Sequence, residues 1–237
     1  MFDGDGWRLH VHAFVLRSGT RTILIDTGVG PESAPAFAWS GVAGTLDAEL
    51  RAADIAPADV DTVVITHVHD DHIGWNVADG TADPLFPNAQ YLIHRADWDW
   101  IAKGSEDDEE SRTIFEAVLA PLERTGLLDL VEAPVELTGE LLVEHAPGHT
   151  PGHQIVWIDS NGELGVAAGD FANNPVMLLQ PGVNGDTDTE PELAARTRAS
   201  LIERIVREDR LVLSTHYPEA FGRLVPDDGR HQWRPAG

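Results

Sequence analysis

The fold of this chain is decided by one segment, Val63-Val64-Ile65-Thr66-His67-Val68-His69-Asp70-Asp71-His72-Ile73-Gly74-Trp75. It begins with an apolar run typical of a buried strand and then places three histidines and two aspartates within six residues. Two histidines one residue apart on an extended segment project to the same side, and Asp71 and His72 follow after the chain bends. The four groups can surround two neighbouring points, which favours two metal ions over one.

A polar loop of hydrogen-bonded histidines is the alternative interpretation of this segment. It requires side chains that resist desolvation to crowd together in a chain with 16 Lys and Arg, 40 Asp and Glu, and a formal charge of −24. Metal cations relieve such crowding directly, and histidine and carboxylate are the ligands available here. The segment therefore favours a metal site.

Three more candidate ligands follow predicted strands elsewhere in the chain. His149 lies in the turn Ala146-Pro147-Gly148-His149-Thr150-Pro151-Gly152-His153, Asp170 follows the apolar run 165–169, and His216 follows the run 211–215. Mixed and parallel sheets tend to build their sites at the carboxyl ends of strands. We expect these residues to join the site.

The composition excludes several classes of protein. There is no cysteine, so disulfides, thiolate zinc sites, iron–sulfur clusters and cysteine nucleophiles are excluded. The negative charge disfavours nucleic acid and anionic membranes as partners. No apolar stretch approaches the ~18 residues of a membrane span and the start lacks the pattern of a signal peptide, so we predict a cytoplasmic protein. With 237 residues, we predict a single domain over 1–237.

Strands and helices are predicted to alternate along the chain. Thr45 and Ser111 are predicted to cap two helices, with Pro121 kinking or dividing the second, and a third helix is predicted from about Pro191 to Glu208. This order predicts mixed sheets with helices on their outer faces. The strands predicted from apolar alternation and β-branched residues are Leu9 to Leu16, Thr22 to Asp26, Val63 to Thr66, Gln90 to His94, Leu141 to His145, Gln154 to Ile158, Leu164 to Ala168 and Leu211 to Ser214.

Taken together, these residues resemble the metallo-β-lactamase superfamily. The resemblance rests on His-x-His-x-Asp-His at residues 67–72 and on three later ligands in the expected order, His149, Asp170 and His216. Leu24-Ile25-Asp26-Thr27-Gly28 and Ala168-Gly169-Asp170 support it, and it extends from about Val11 to the C-terminus.

The resemblance implies a fold and a set of ligands. The fold is α+β, a four-layer αββα sandwich of two mixed β-sheets flanked by helices. One metal ion takes His67, His69 and His149, the other takes Asp71, His72 and His216, and Asp170 bridges them. We expect two divalent ions, with zinc as the first choice and iron, manganese or cobalt as alternatives.

The resemblance also implies a hydrolase in which a hydroxide between the ions attacks a lactone or carboxylic ester. The group of methyl parathion hydrolase and the quorum-quenching lactonases is the most similar. Asp170 is expected to bridge the ions, and Asp71 or a metal-bound water to protonate the leaving group. Phe171-Ala172-Asn173-Asn174-Pro175 departs from that group, whose members often carry histidines or a tyrosine there.

Other functions remain open from the sequence. They are hydrolysis of an organophosphate triester, hydrolysis of a thioester as in glyoxalase II, an iron-dependent oxidoreductase of the same fold, a nuclease, and a metal-binding domain without catalysis. The expected partner is a small neutral ester or lactone, and a homodimer is left open.

Several side chains are expected to support the site. Asp26 and His153 are expected to orient ligand imidazoles. The substrate pocket is predicted from aromatic and polar side chains that follow ligands or lie in Pro/Gly-bounded loops, namely Trp75, Phe171, Asn173 and Tyr217, together with Phe37, Trp39 and Met177.

Overall fold

The computed structural model describes residues 2–3, 6–227 and 230–236. The chain divides into two compact units, unit I over Ala13–Glu132 and unit II over Met1–His12 with Ala133–Gly237. The single domain over 1–237 stays a prediction. Among the described residues, no helix is both long and apolar enough to cross a membrane.

The described residues contain the following regular elements. The strands are β1 (Phe2–Asp3), β2 (Gly6–Trp7), β3 (Phe14–Ser18), β4 (Arg21–Ile25), β5 (Thr62–Val64), β6 (Gln90–His94), β7 (Leu128–Val131), β8 (Val135–Thr138), β9 (Leu141–His145), β10 (Gln154–Ser160), β11 (Glu163–Ala167), β12 (Leu211–Leu213), β13 (Phe221–Asp227) and β14 (Arg230–Pro235). The α-helices are α1 (Phe37–Ser40), α2 (Leu46–Ala52), α3 (Asp70–Ile73), α4 (Arg95–Asp107), α5 (Glu109–Ile114), α6 (Ala120–Thr125), α7 (Pro175–Leu179) and α8 (Pro191–Arg207). Short 3₁₀ turns cover Pro57–Asp59 and Gly74–Asn76, and a π-helical segment covers Phe115–Leu119.

Unit I contains a five-stranded mixed sheet in the order β3-β4-β5-β6-β7. β3 and β4 pair antiparallel, and the remaining neighbours pair parallel. Every residue of β5 is buried, as expected for a central strand covered on both faces. Because β5 leads directly into the His67–His72 segment, the sheet fixes where that segment begins.

The core of unit I joins this sheet to its helices. Val63 and Ile93 of the sheet pack in one apolar cluster with Trp98 and Ile101 of α4 and Leu122 of α6. Complete burial of a side chain of this size contributes about 1.5–3 kcal/mol. The cluster therefore fixes β5 against helices α4 and α6.

Unit II contains a seven-stranded mixed sheet in the order β14-β13-β12-β11-β10-β9-β8, and β1 pairs with β2 separately. β11 and β12 pair parallel, and the other neighbours in the sheet pair antiparallel. Leu201 and Ile205 of α8 pack with Trp157, Val166 and Val212 of the sheet in one apolar cluster. The predicted arrangement of two mixed sheets flanked by helices is confirmed.

The predicted strands largely coincide with the observed ones. Gln90–His94 and Leu141–His145 have the predicted bounds. The strand predicted from Leu9 is wrong in its first half, because β3 begins at Phe14. The preceding backbone makes isolated bonds instead, from His10 N to His216 O at 3.4 Å and from His12 N to Thr215 O at 3.0 Å.

One of the two predicted helix caps is wrong. Thr45 is the N-cap residue of α2 as predicted, although its side chain makes no capping hydrogen bond. Asp108 caps α5 instead of Ser111, because the Asp108 carboxylate accepts from Ser111 N at 2.8 Å and so places Ser111 inside the first turn. The predicted interruption near Pro121 is confirmed, since the π-helical segment ends at Leu119 and α6 begins at Ala120 with Pro121 in its first turn.

The packing of α8 predicts how much stability is lost when a buried side chain of this helix is shortened. Ile205 is 1% exposed, so Ile205→Ala leaves a cavity beneath the helix and lowers the free energy of unfolding by about 2–5 kcal/mol. Leu179→Ala, at a position that is 38% exposed, is the control and is expected to change it by less than about 1 kcal/mol. Urea unfolding followed by circular dichroism measures both, and equal losses would contradict this packing.

Candidate metal centre

In unit I, four histidine and aspartate side chains lie together after the end of β5. His67 Nε2 lies 3.0 Å from His69 Nδ1, and the ring centroids of His67 and His72 are 4.0 Å apart. Asp71 and His72 belong to α3, where Asp71 Oδ1 lies 3.7 Å from His72 Nε2. The turn into α3 thus brings Asp71 and His72 back beside the two histidines of the extended segment.

Asp26 organises the back of this cluster. Its carboxylate accepts hydrogen bonds from Thr66 N at 2.7 Å, Thr66 Oγ1 at 2.8 Å and His72 Nδ1 at 2.8 Å. Asp26 is 2% exposed and adopts a left-handed backbone with φ of 58° at the end of β4. A carboxylate only accepts, so Nδ1 of His72 carries the proton and Nε2 is the nitrogen available as a ligand.

Further contacts to the backbone hold the segment that runs from His67 to Gly74. Gly74 N donates to Gly28 O at 2.8 Å, and a Cβ at Gly74 would lie 2.3 Å from the Val29 backbone. The two turns therefore approach more closely than any residue with a side chain permits. Asp97 of α4, which is 1% exposed, accepts from Val68 N at 3.1 Å, between the two histidines of the extended segment.

In unit II, three candidate ligands lie together at the ends of strands. His149 follows β9, Asp170 follows β11 and His216 follows β12. Asp170 Oδ2 lies 2.9 Å from His216 Nε2 and 3.6 Å from His149 Nε2. All three residues are at most 4% exposed, so the carboxylate and both imidazoles are removed from bulk water.

The two candidate histidine ligands of unit II are both held through Nδ1. His149 Nδ1 lies 3.0 Å from Asp188 Oδ1, and His216 Nδ1 lies 2.7 Å from the backbone oxygen of His10. Burial raises the pKa of Asp188, but the hydrogen bond and electrostatic interaction with His149 and the charge of Arg198 outweigh it and hold this pKa below its usual value. Asp188 is therefore a carboxylate acceptor at neutral pH, and each histidine presents Nε2 toward Asp170.

His153 contacts the backbone through both ring nitrogens. Nδ1 donates to Ala146 O at 3.0 Å, and Nε2 accepts from Asp170 N at 3.0 Å. Because both partners are backbone groups with fixed roles, the ring holds the Asp170 turn against the end of β9. This contact would position Asp170.

The donor set fits divalent metal ions. Each unit supplies histidine and aspartate donors of the kind that hold such ions: His67, His69, Asp71 and His72 in unit I, and His149, Asp170 and His216 in unit II. Two nitrogens bound to one tetrahedral zinc at 2.0–2.1 Å lie about 3.3 Å apart, near the 3.0 Å between His67 Nε2 and His69 Nδ1. Carboxylate and carbonyl acceptors behind ligand imidazoles are typical of protein metal sites.

The predicted pocket residues lie in different environments. Phe171, Met177 and Tyr217 pack in the apolar core of unit II, whereas Trp75 and Asn173 are half-buried. Burial and the negative charge of Asp170 raise the pKa of Tyr217, so its phenol is protonated at neutral pH. In unit I, Phe37 is half-buried, and Trp39 is 55% exposed and donates to Asp70 Oδ2 at 2.8 Å. Their role in a pocket stays a prediction.

Three residues that support the candidate ligands were not predicted from the sequence. Asp97 and Asp188 carry no local signal, because each is one of 40 acidic residues and its partner lies 29 or 39 positions away. Arg198 carries a signal that was overlooked. It is a basic residue on the same face of α8 as Ala194, Leu201 and Ile205, where a charge is unusual.

The Asp26 contact predicts that neutralising this carboxylate weakens metal binding. Asp26→Asn keeps the size and tolerates the left-handed backbone but replaces the charged acceptor of His72, so we expect zinc affinity to fall about 10- to 100-fold. Asp54→Asn is a matched control, since Asp54 also has positive φ, at 56°, and is exposed. Competition with a chromogenic chelator measures both, and an unchanged affinity in Asp26→Asn would refute the role of this contact.

The chain matches a protein family and several known proteins. Residues 6–216 match the model of the Metallo-beta-lactamase superfamily. An N-acyl homoserine lactonase from a Bacillus species is 29% identical over 171 residues, which cover 66% of this chain and 61% of that protein. The chain thus spans less than two thirds of the length of this relative.

Two solved structures share the fold over nearly the whole chain. The hydrolase AbOPH of the beta lactamase superfamily superposes with a TM-score of 0.83 at 24% identity, covering 97% of this chain and 80% of the other. AidC, a dizinc quorum-quenching lactonase solved with a product, gives a TM-score of 0.82 at 22% identity with the same coverage. The predicted fold class is confirmed, and with a family match extending from residue 6 to residue 216, the chain belongs to the metallo-beta-lactamase superfamily.

Proposed function

We propose that this protein is a dinuclear metal-dependent hydrolase that cleaves a lactone or a carboxylic ester. The observation that carries the proposal is the orientation of the histidines. His72, His149 and His216 each direct Nδ1 to an oxygen atom behind the ring, which leaves Nε2 of each facing a candidate aspartate ligand. A set of polar histidines without a ligand has no need of this uniform arrangement.

The ligand set divides between two ions in the proposed site. His67, His69 and His149 would hold one ion, and Asp71, His72 and His216 would hold the other. Asp170 would be their shared ligand, which is supported by the position of its Oδ2 near the Nε2 atoms of His149 and His216. Imidazole and carboxylate suit zinc, and iron, manganese or cobalt accept the same ligands.

The chemistry divides between the ions and the chain. When bound, two divalent cations would lower the pKa of a bound water far below that of bulk water and would polarise the scissile carbonyl. The residues of this chain keep that chemistry in place: Asp26, Asp188 and the His10 carbonyl hold the imidazole rings, and His153 holds the Asp170 turn. Asp71, which is 8% exposed, or a bound water would pass to the leaving group the proton that the attacking water loses.

The substrate class follows from the relatives and from the charge of the protein. Proteins similar to this chain are named as N-acyl homoserine lactonases, and a neutral lactone is compatible with a chain of formal charge −24. A polyanionic substrate would be repelled by such a field. The homodimer and the cytoplasmic location stay predictions.

A substrate panel tests this proposal. Purified protein, with its metal content measured on the same batch, is assayed against acyl homoserine lactones, aryl carboxylic esters, glutathione thioesters and aryl phosphotriesters. We expect turnover of a lactone or ester that disappears on chelation and returns with zinc. Turnover of only a thioester or phosphotriester would contradict the substrate class, and full metal loading without any turnover would contradict an enzyme. A visible or paramagnetic spectrum would show iron, manganese or cobalt in place of zinc, which gives neither signal.

Removal of the proposed bridging carboxylate gives a second prediction. Asp170→Ala is expected to lose most of the bound metal and turnover together, a larger loss than the ~10- to 100-fold expected for a residue that only orients a ligand. Asp186→Ala, at an exposed position in the following loop, is the control and retains both. Metal analysis and turnover on one preparation measure the effect, and full activity with the original metal content would overturn the bridging role.

A further inference from the structure

Arg198 is buried on the core-facing side of α8. It is 1% exposed and shares this face with apolar residues of the unit II core, including Leu201 and Ile205. Burial of a guanidinium is costly unless its donors are satisfied and its charge is paired. The contacts of Arg198 therefore indicate what the structure gains by placing a charge there.

All three nitrogens of the guanidinium donate to one segment, residues 171–188, which follows Asp170. Nε donates to Phe171 O at 2.6 Å, and Nη1 donates to Pro181 O at 2.8 Å, to Val183 O at 2.7 Å and to Asn184 Oδ1 at 3.3 Å. Nη2 pairs with Asp188 Oδ2 at 3.2 Å. One side chain thus ties the first and last residues of this segment to α8.

The same ion pair leads to His149. Asp188 uses Oδ2 for Arg198 and for Gly185 N at 3.1 Å, and uses Oδ1 for His149 Nδ1 at 3.0 Å. The backbone completes the connection, because Thr189 N donates to His149 O at 2.9 Å. The guanidinium of Arg198 therefore holds the Asp188 carboxylate by one oxygen, while the other oxygen meets His149. In this way Arg198 sets the orientation of the His149 ring.

We propose that Arg198 is the positioning residue of the metal site, which orients His149 through Asp188 and fixes the chain beside Asp170 through the Phe171 carbonyl. This inference rests on the proposed function, since it concerns the same ligands. The role needs an arginine. Nε, Nη1 and Nη2 reach Phe171 O, Val183 O and Asp188 Oδ2 in a fixed planar fork, whereas a lysine carries its donors on one nitrogen.

Zinc affinity in four variants tests this proposal. Arg198→Lys keeps the charge and loses the fork, and Asp188→Asn keeps the shape and loses the charged acceptor. We expect each to raise the zinc dissociation constant about 10- to 100-fold. Both substitutions act on the same contact to His149. We therefore expect the zinc dissociation constant of the double variant to lie within about threefold of that of the single variant that binds zinc more weakly. Arg207→Lys, at an exposed position on the same helix, is the control with unchanged affinity.

Chelator competition measures the dissociation constants, and urea unfolding of the metal-free proteins shows that each variant is folded. Zinc affinity of Arg198→Lys equal to that of Arg207→Lys would overturn the proposal, and so would losses that multiply in the double variant. If Arg198→Lys does not fold, Asp188→Asn decides alone, because normal zinc affinity in that variant breaks the proposed route to His149. Failure of the unaltered protein to bind zinc, iron, manganese or cobalt would instead refute the proposed function.

Discussion

The candidate site depends on hydrogen bonds that reach the histidine rings from behind. An imidazole offers two nitrogens, and a metal ligand needs the correct one free of its proton. Asp26 accepts from Nδ1 of His72, Asp188 accepts from Nδ1 of His149, and a backbone oxygen accepts from Nδ1 of His216. Each contact fixes both the tautomer and the plane of its ring. Without that acceptor, the ring nitrogen that faces each candidate aspartate ligand could carry the proton, and it would then not bind a metal ion.

Close contacts also fix the turn that carries His149 against helix α8. Gly148, with φ of 130°, lies against the start of α8, where a Cβ would come within 2.3 Å of Ala194 N. Thr197 of the same helix donates to Pro147 O at 2.7 Å. The turn that carries His149 is therefore packed directly on the helix that carries Arg198. The candidate ligand His149 and the positioning residue Arg198 are therefore both held by α8, instead of lying on two independent loops.

The local part of the site could be predicted from the sequence, and the long-range part could not. His67 to His72 follow a buried strand, so their spacing alone predicts which side chains share a side. Asp188 was missed, because its contact with His149 depends on how the intervening 38 residues fold. Arg198 was detectable as a charge on an apolar face, although its partners were not. The incorrect cap at Ser111 has a similar cause, since Asp108 offers a competing carboxylate three residues earlier.

Buried charge gives an independent reason to expect cations in this protein. Among the described residues, five aspartates but only two arginines are buried, and both arginines pair with carboxylates, Arg198 with Asp188 and Arg210 with Asp159 and Glu208. Protonated histidines are one source of compensating charge. A histidine that donates from Nδ1 and also binds an ion through Nε2 is neutral, so the compensation then comes from the metal. Two divalent ions would supply four positive charges to offset the buried carboxylates, and their removal would leave that negative charge uncompensated. Metal loss should therefore destabilise the fold as well as the site.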